Sequence, residues 1–356
     1  MRQPIPRGAT VVVKIGSSSL TEAGGIDRAV AVVDALWVGG YQTVLVSSGA
    51  VARGLPALGI DRADADLATM QVAAAVGQTA LLDDYTERFL LVGRLSGQVL
   101  LTKDVLANRS QYLNGRATLR RMLELGVVPI VNENDSVVTD ELRFGDNDRL
   151  AAIVSHLVGA SLLLMLTDTP GLFGEDPRIN DEAELITAVR HNDEILDGLS
   201  GSGPIGSGGV ATKVAAARMA AWSGIPSVIA SADQDAMAIV GGAEIGTWIA
   251  PHPSGLSARR LWIAFGQPSA GTLTIDQGAV DALHRRQTSL LPVGVTSVSG
   301  EFPAGAAVEI RSNDGNLIGK GLVRLDASQL RQGAGRHSEA IGGEVAVHRD
   351  DLVVLV

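Results

Sequence analysis

Five stretches of this sequence combine small residues, lysines and carboxylates in patterns that can do chemistry. The first is VVVKIGSSSL, Val11–Leu20, an apolar run ending in Lys14 and a Gly/Ser turn. A Gly/Ser loop at the carboxyl end of a strand lets backbone N–H groups approach phosphate oxygens, and a lysine there adds a point charge. A solvated rim lysine is the ordinary alternative. The second, VLVSSGAVARG, Val44–Gly54, again ends a strand in small residues, Ser47-Ser48-Gly49-Ala50. Open α/β sheets bind ligands at that edge, although a βα turn with a serine cap has the same composition.

The third stretch, VPIVNENDSVVTDELRFGDNDRL, Val128–Leu150, is the most informative. Asn132, Glu133, Asn134 and Asp135 precede a predicted β-hairpin at Ser136–Phe144, and Gly145-Asp146-Asn147-Asp148 opens the next helix. Carboxylates and amides crowded at a strand end suit an ammonium group or a water-bridged Mg²⁺. Helix capping accounts for Asp146 but not for two such clusters around one hairpin. The fourth, LLLMLTDTPGLFGEDPR, ends a buried strand in Thr167-Asp168. The fifth, GSGPIGSGGVATKVAAARMA, Gly201–Ala220, leads a Gly/Ser loop into a helix bearing Lys213 in its first turns. Glycine amides, a helix N-terminus and a lysine together form a cradle for nucleotide phosphates.

Several chemistries are excluded. The 356 residues contain no cysteine, so there is no disulfide framework, thiolate nucleophile or sulfur-ligated metal. The Walker A order and a Gly-x-Ser-x-Gly elbow are both absent, and the six histidines show no metal-ligand spacing. The net charge of -10 argues against non-specific attraction to nucleic acid or membrane. There are four lysines, Lys14, Lys103, Lys213 and Lys320, among 29 basic residues. A lysine kept where arginine is the habit marks a place that can use a compact ammonium rather than a planar fork. No apolar leader or bilayer-length run occurs, so a cytoplasmic protein with no membrane partner is expected.

These residues need a scaffold, and the rest of the sequence supplies one. Strand-like runs at Thr10–Ile15, Thr43–Ser47, Gln98–Leu101, Val127–Val131, Ser161–Thr167, Ser227–Ala230 and Thr247–Ala250 alternate with helical patterns. The helices are predicted over Asp27–Gly39, Asp66–Phe89, Asn114–Leu125, Asp146–Val158, Gly209–Trp222 and Asp235–Gly241, and Gly198–Gly209 reads as a loop. Such alternation makes an α/β fold, an open and mostly parallel sheet sandwiched by helices. After Pro251–Arg260 the pattern turns to short β-type runs, with Asn313-Asp314-Gly315-Asn316 as a hairpin signal. The expected division is residues 1–260 for an α/β domain and 261–356 for a small β-rich domain.

In their order and wording the five motifs, together with AAAVGQ in the long helix, resemble the amino acid kinase family, and within it the members that phosphorylate L-glutamate. The segment ending AVHRDDLVVL resembles a PUA domain. The resemblance implies ATP-dependent phosphorylation of the glutamate side-chain carboxylate to L-glutamyl 5-phosphate, the first step of proline biosynthesis. It implies Lys14 and Lys213 at the transferred phosphate with Asp148 orienting both. Ser48, Asp135 and Asn147 would hold glutamate, with Asn132 and Asp146 nearby. ATP, carried with Mg²⁺, would meet Lys14, Thr167, Asp168 and the run Ser207, Gly208, Gly209, Val210, Ala211, Thr212 and Lys213. Proline as feedback inhibitor and a homo-oligomer, dimer or tetramer, are further implications.

The chemistry agrees with the residues. Phosphoryl transfer asks for positioning and charge neutralisation rather than a covalent nucleophile. A glutamate carboxylate is ionised at neutral pH, so no general base is required. Aspartate, N-acetylglutamate, carbamate or uridylate are rival substrates; the two acidic clusters favour a free α-amino group. RNA binding by the C-terminal domain is the rival of another class, disfavoured by a charge of -2 over residues 270–356 and by few aromatic residues.

Overall fold

The computed structural model describes residues 2–137, 146–175, 177, 179–180, 182–200, 209–253, 255–286, 288–336 and 343–355. They divide into two compact units, Met1–Gly255 and Leu256–Val356. In the first, the β-branched and leucine-rich runs become strands β1 (Thr10–Ile15), β2 (Gln42–Val46), β3 (Leu95–Leu101), β4 (Val127–Glu133), β5 (Leu162–Thr167), β6 (Leu172–Phe173), β7 (Leu185–Ile186), β8 (Ala188–Arg190), β9 (Ser227–Ser231) and β10 (Thr247–Ala250). The helices are α1 (Ser17–Thr21), α2 (Gly25–Val38), α3 (Ala50–Leu58), α4 (Leu67–Leu91), α5 (Arg109–Glu124), α6 (Asp146–Val158), α7 (Glu194–Ser200), α8 (Gly209–Trp222) and α9 (Ala236–Val240).

Eight strands form one sheet in the order β3-β4-β2-β1-β5-β9-β10-β8. Pairing is parallel from β3 through β9, while β10 runs antiparallel to β9 and parallel to β8. The mostly parallel α/β expectation therefore holds, with one antiparallel junction near an edge. The chain adds β2 on one side of β1 and later returns to place β5 on the other side. Neighbouring loops part there, which is where open α/β sheets bind ligands.

Period-two alternation divides the core between the sheet's faces. Val11, Val13 and Ile15 pack with Leu162, Leu164 and Leu166 and with Ala29, Val30 and Val33 of α2. Tyr85 and Phe89 of α4 complete that side. Val12 and Lys14 alternate onto the opposite face, towards α6. Both faces are covered, so β5 is apolar from Leu162 to Leu166 rather than alternating.

Local differences from the sequence reading have local causes. Helix α3 escaped notice because Gly54 and Pro56 break its pattern, yet glycine is what its packing requires. A Cβ on Gly54 would fall 1.8 Å from the Ala73 carbonyl oxygen, and one on Gly77 would fall 1.9 Å from that of Ala50. Helices α3 and α4 thus touch backbone to backbone. Helix α5 starts at Arg109, earlier than expected, because the Asn108 side chain caps it by accepting from the Gln111 N–H at 3.0 Å. Helix α7 extends to Ser200, so residues 198–200 are helical rather than loop. The hairpin expected at Ser136–Phe144 lies mostly outside the described residues; its start, Asp135–Val137, is a 3₁₀ turn.

In the second unit, β11 (Thr272–Ile275), β12 (Val295–Ser299), β13 (Ala307–Ser312), β14 (Leu317–Val323) and β15 (Val347–Val354) form a separate sheet in the order β12-β11-β13-β14-β15. Asn313–Asn316 join β13 to antiparallel β14, with Gly315 at φ 83°. Helices α10 (Ala258–Leu261), α11 (Gln277–Arg286) and α12 (Ala327–Gly333) accompany it. Val280, Leu283 and Leu330 carry α11 and α12 into that unit's own core.

Candidate active site

Lys14 is the fifth residue of β1 and pairs in register with Val46 of β2 and Met165 of β5. A lysine in a central strand is buried by its neighbours, and Lys14 is 4% exposed. Burial of an ammonium requires a partner. Asp148 supplies it from the first turn of α6: Lys14 Nζ lies 2.5 Å from Oδ1 of a carboxylate that is 1% exposed. The same carboxylate faces α8, whose Lys213 Nζ stands 3.7 Å from Oδ2. Thr212 donates its hydroxyl to Oδ2 at 2.7 Å. One acid thus gathers two lysines from separate elements.

The electrostatics follow from this packing. Burial pushes the Lys14 ammonium below the ordinary lysine range; Asp148 opposes that shift and the positive charge of Lys213 adds to it. For Asp148 burial disfavours the charge, but Lys14, Lys213 and the hydrogen bonds from Lys14 and Thr212 outweigh it and hold the carboxyl below its usual range. The start of α6 contributes in the same direction, since a helix N-terminus favours a carboxylate. Lys213 also donates to the Gly209 carbonyl at 3.2 Å, and a Cβ on Gly209 would fall 3.0 Å from its Nζ. Glycine there leaves the ammonium its space.

The residues expected on the substrate side fall at the ends of β2 and β4, in the turn beyond β4 and at the start of α6. Ser48 follows β2 and is buried, just before Gly49 at φ 102°, a left-handed conformation suited to glycine. Ser47 is held by its N–H, which donates to the Val131 carbonyl at 2.9 Å, and by its hydroxyl, which donates to the Ser48 carbonyl at 3.2 Å and meets the Tyr85 hydroxyl at 3.0 Å. Asn132, buried at the end of β4, donates Nδ2–H to Gln78 Oε1 at 2.6 Å and accepts from the Glu133 N–H at 2.9 Å. Asp135 lies in the turn beyond. Asp146 and Asn147 begin α6; Oδ1 of Asn147 is buried and accepts no hydrogen bond among the described residues. Buried acceptors are usually satisfied, so this one is available to a ligand.

On the other side of β1, Thr167 is buried at the end of β5 and donates its hydroxyl to Asp168 at 2.9 Å, while Asp168 itself is exposed. Gly209, Val210 and Ala211 form the first turn of α8. Ser207 and Gly208 lie outside the described residues. Lys320 takes no part: it donates to the Gln267 carbonyl in the other unit.

Two features were not read from the sequence. Thr212 touches Asp148, whereas the sequence placed it with the nucleotide. Gln78, half-buried on α4 beside the buried Ala74, Gly77 and Leu81, bonds Asn132. An amide beside apolar helix positions calls for a partner, and that signal was present in the sequence. A cleft of about 330 Å³ opens beside this pair, lined by Ala74, Gln78, Gln98, Glu133, Asn134 and Asp135 among others.

Parallel strands whose carboxyl ends carry lysine, serine, asparagine and threonine, with helix N-termini bringing an acid and a second lysine, have the make-up a phosphotransferase site requires. The sequence pattern of the amino acid kinase family matches residues 9–231 and that of the PUA domain residues 271–344. The chain belongs to the amino acid kinase family. Within it the chain groups with glutamate 5-kinases: it is 46% identical to that of Frankia casuarinae over 100% of this chain and 99% of the other. Identity is 44% to the glutamate 5-kinase of Pseudomonas syringae, over 100% of both chains, and 43% to that of Mycobacterium tuberculosis, over 99% and 96%. Among solved structures, aspartate kinase from Synechocystis matches with TM-score 0.51 at 18% identity, covering 75% of this chain and 44% of that one. Giardia carbamate kinase matches with TM-score 0.51 at 17% identity, covering 69% and 100%. At such identities the two structures speak for the fold.

Proposed function

We propose that this protein transfers the γ-phosphoryl group of ATP to the side-chain carboxylate of L-glutamate, giving L-glutamyl 5-phosphate and ADP, the first step of proline biosynthesis. The observation that carries this reading is the single buried carboxylate of Asp148 engaging Lys14 at 2.5 Å and Lys213 at 3.7 Å. Extensive identity to glutamate 5-kinases supports the choice of acceptor.

The acceptor is an anion attacking an anion, so the first obstacle is repulsion. An ionised carboxylate needs no general base, because a glutamate side chain titrates near pH 4. A bond forms from one carboxylate oxygen to Pγ, and the bond from Pγ to the ADP oxygen breaks. Lys14 and Lys213 are placed to neutralise the transferring oxygens in a dry environment, where charge is worth more than in water. Asp148 keeps both lysines aimed without contacting the phosphate itself. Ser48, Asp135 and Asn147 hold glutamate, with Asn132 and Asp146 beside them; the free Oδ1 of Asn147 is suited to an ammonium donor.

ATP with Mg²⁺ supplies the phosphoryl group and further charge neutralisation. The residues present fit a nucleotide: the fourteen-residue helix α8 starts at Gly209 and offers N-terminal amides, with Lys213 one turn on. Gly209–Lys213 are assigned to ATP on this basis, with Thr167, Asp168, Ser207 and Gly208 assigned by the family resemblance. Proline as an inhibitor at or overlapping the glutamate site, and assembly into a dimer or tetramer, belong to the same proposal and rest on that resemblance. Proline titration and light scattering test them.

The direct experiment traps acyl phosphate with hydroxylamine in the presence of ATP and Mg²⁺. Glutamate is expected to give hydroxamate, with aspartate and N-acetylglutamate far slower. Turnover of aspartate without glutamate would overturn the assignment.

A further inference from the structure

Helix α4 contributes no residue to the candidate site, yet its half-buried Gln78, beside the buried Ala74, Gly77 and Leu81, turns an amide towards β4. Burying an amide costs free energy unless it is hydrogen-bonded. Its partner, Asn132, is 1% exposed. The Glu133 N–H can only donate, so the Asn132 atom 2.9 Å away must be the oxygen. The other end of that amide is therefore NH₂, and the Gln78 atom 2.6 Å from it must be the acceptor Oε1. Both amide orientations are thus fixed by one backbone donor, and Asn132 cannot flip without setting donor against donor.

The consequence reaches the reaction. Asn132 is the penultimate residue of β4, and its oxygen accepts from the N–H of Glu133, the last strand residue before the turn that leads through Asn134 to Asp135. An Asn132 engaged at both ends is poorly suited to adapt to a substrate and well suited to hold this turn in place. Gln78 also borders the cleft shared with Asn134 and Asp135. One and two turns further along α4, Leu81 and Tyr85 are buried, and Tyr85 meets Ser47 beside Ser48 in the other substrate loop. The Gly54–Ala73 and Gly77–Ala50 approaches fix α4 against the helix that starts that second loop.

We infer that Gln78 is a positioning residue for the amino-acid substrate, acting through Asn132 to hold the Asn134–Asp135 turn. The inference rests on the proposed function for the identity of the acceptor, but its geometry is independent of which amino acid binds.

The test compares steady-state kinetics of the wild type, Gln78→Leu, Gln78→Glu, Asn132→Ala and the Gln78→Leu/Asn132→Ala double variant. Loss of one such bond is expected to raise KM for glutamate about 3- to 10-fold. KM for ATP and the thermal midpoint should stay near the wild-type values. Gln78→Glu keeps an acceptor for Asn132 Nδ2 and should recover most of the loss. The double variant should be no worse than Asn132→Ala alone, because Gln78 acts through that residue. An unchanged KM for glutamate in Gln78→Leu, an equal rise for ATP, or additive losses in the double variant would each overturn the inference. Should Gln78→Leu fail to fold, the comparison of Gln78→Glu with Asn132→Ala still decides: a loss in Gln78→Glu as large as in Asn132→Ala counts against it. A wild type that phosphorylates another amino acid instead refutes the glutamate assignment, and the same five proteins are then compared on that acceptor.

Discussion

Each unit of this protein buries an aspartate against two cations, and the two arrangements differ in kind. Asp351 of the second unit takes Arg259 at 2.5 Å and Arg324 at 2.8 Å, whose side chains are 62% and 51% exposed. Asp148 of the first unit takes Lys14 and Lys213, whose side chains are 5% and 12% exposed. An arginine fork on each carboxylate oxygen, with the rest of the guanidinium in water, is a clamp: its desolvation is small and its charge is neutralised locally. Two ammonium groups held away from water by one carboxylate leave a net positive charge in a dry place. Such a cluster is costly to build and is suited to receiving an anion. The lysines of the first cluster are held in a dry place, whereas the arginines of the second are held at the surface.

The largest effect should come from removing a lysine. Lys14→Ala and Lys213→Ala should each lower kcat by about 10²–10³-fold, the size associated with losing a preorganised donor at a developing charge, with circular dichroism unchanged. Asp148→Asn comes next, at about 10²-fold, and adds a pH signature. Burial already lowers the Lys14 pKa and Asp148 opposes that, so removing the acid's charge should shift the alkaline fall in rate to lower pH. Thr212→Val should cost about tenfold in kcat, the worth of one hydrogen bond to a charged group, and Thr212→Ser should restore it. Asp351→Asn should leave kcat and the pH profile unmoved while lowering the urea midpoint, a loss of about 1–3 kcal/mol. An Asp351 variant that lost catalysis, or an Asp148 variant that kept it, would break the comparison.

Much of this site was legible in the sequence because its parts sit at strand ends, where period-two apolar runs stop and small or polar residues begin. Lys14, Ser48, Asn132 and Thr167 were found in that way, and the rarity of lysine pointed to Lys213. What residue spacing alone does not give is lateral. The pairing of Asp148 with both lysines was implied by the family resemblance, and it depends on how α6 packs against β1 and α8, a contact between residues 134 and 65 positions apart in the chain. Helix α3 was hidden because its glycine serves a backbone contact with α4 rather than a turn. Gln78 stood in the AAAVGQ run that carries part of the resemblance, but its partner on β4, 54 positions away, is not readable from that run.

The central claim is that the phosphoryl group passes directly to the glutamate side-chain carboxylate at the Lys14–Asp148–Lys213 cluster. Glutamate labelled with ¹⁸O in both side-chain oxygens, turned over with ATP and quenched with hydroxylamine, tests it. Attack on the acyl carbon releases phosphate that keeps the bridging oxygen. One ¹⁸O per released phosphate, lost in proportion to rate in Lys213→Ala, is the predicted result. Unlabelled phosphate, with both labels still on glutamate, would contradict the account.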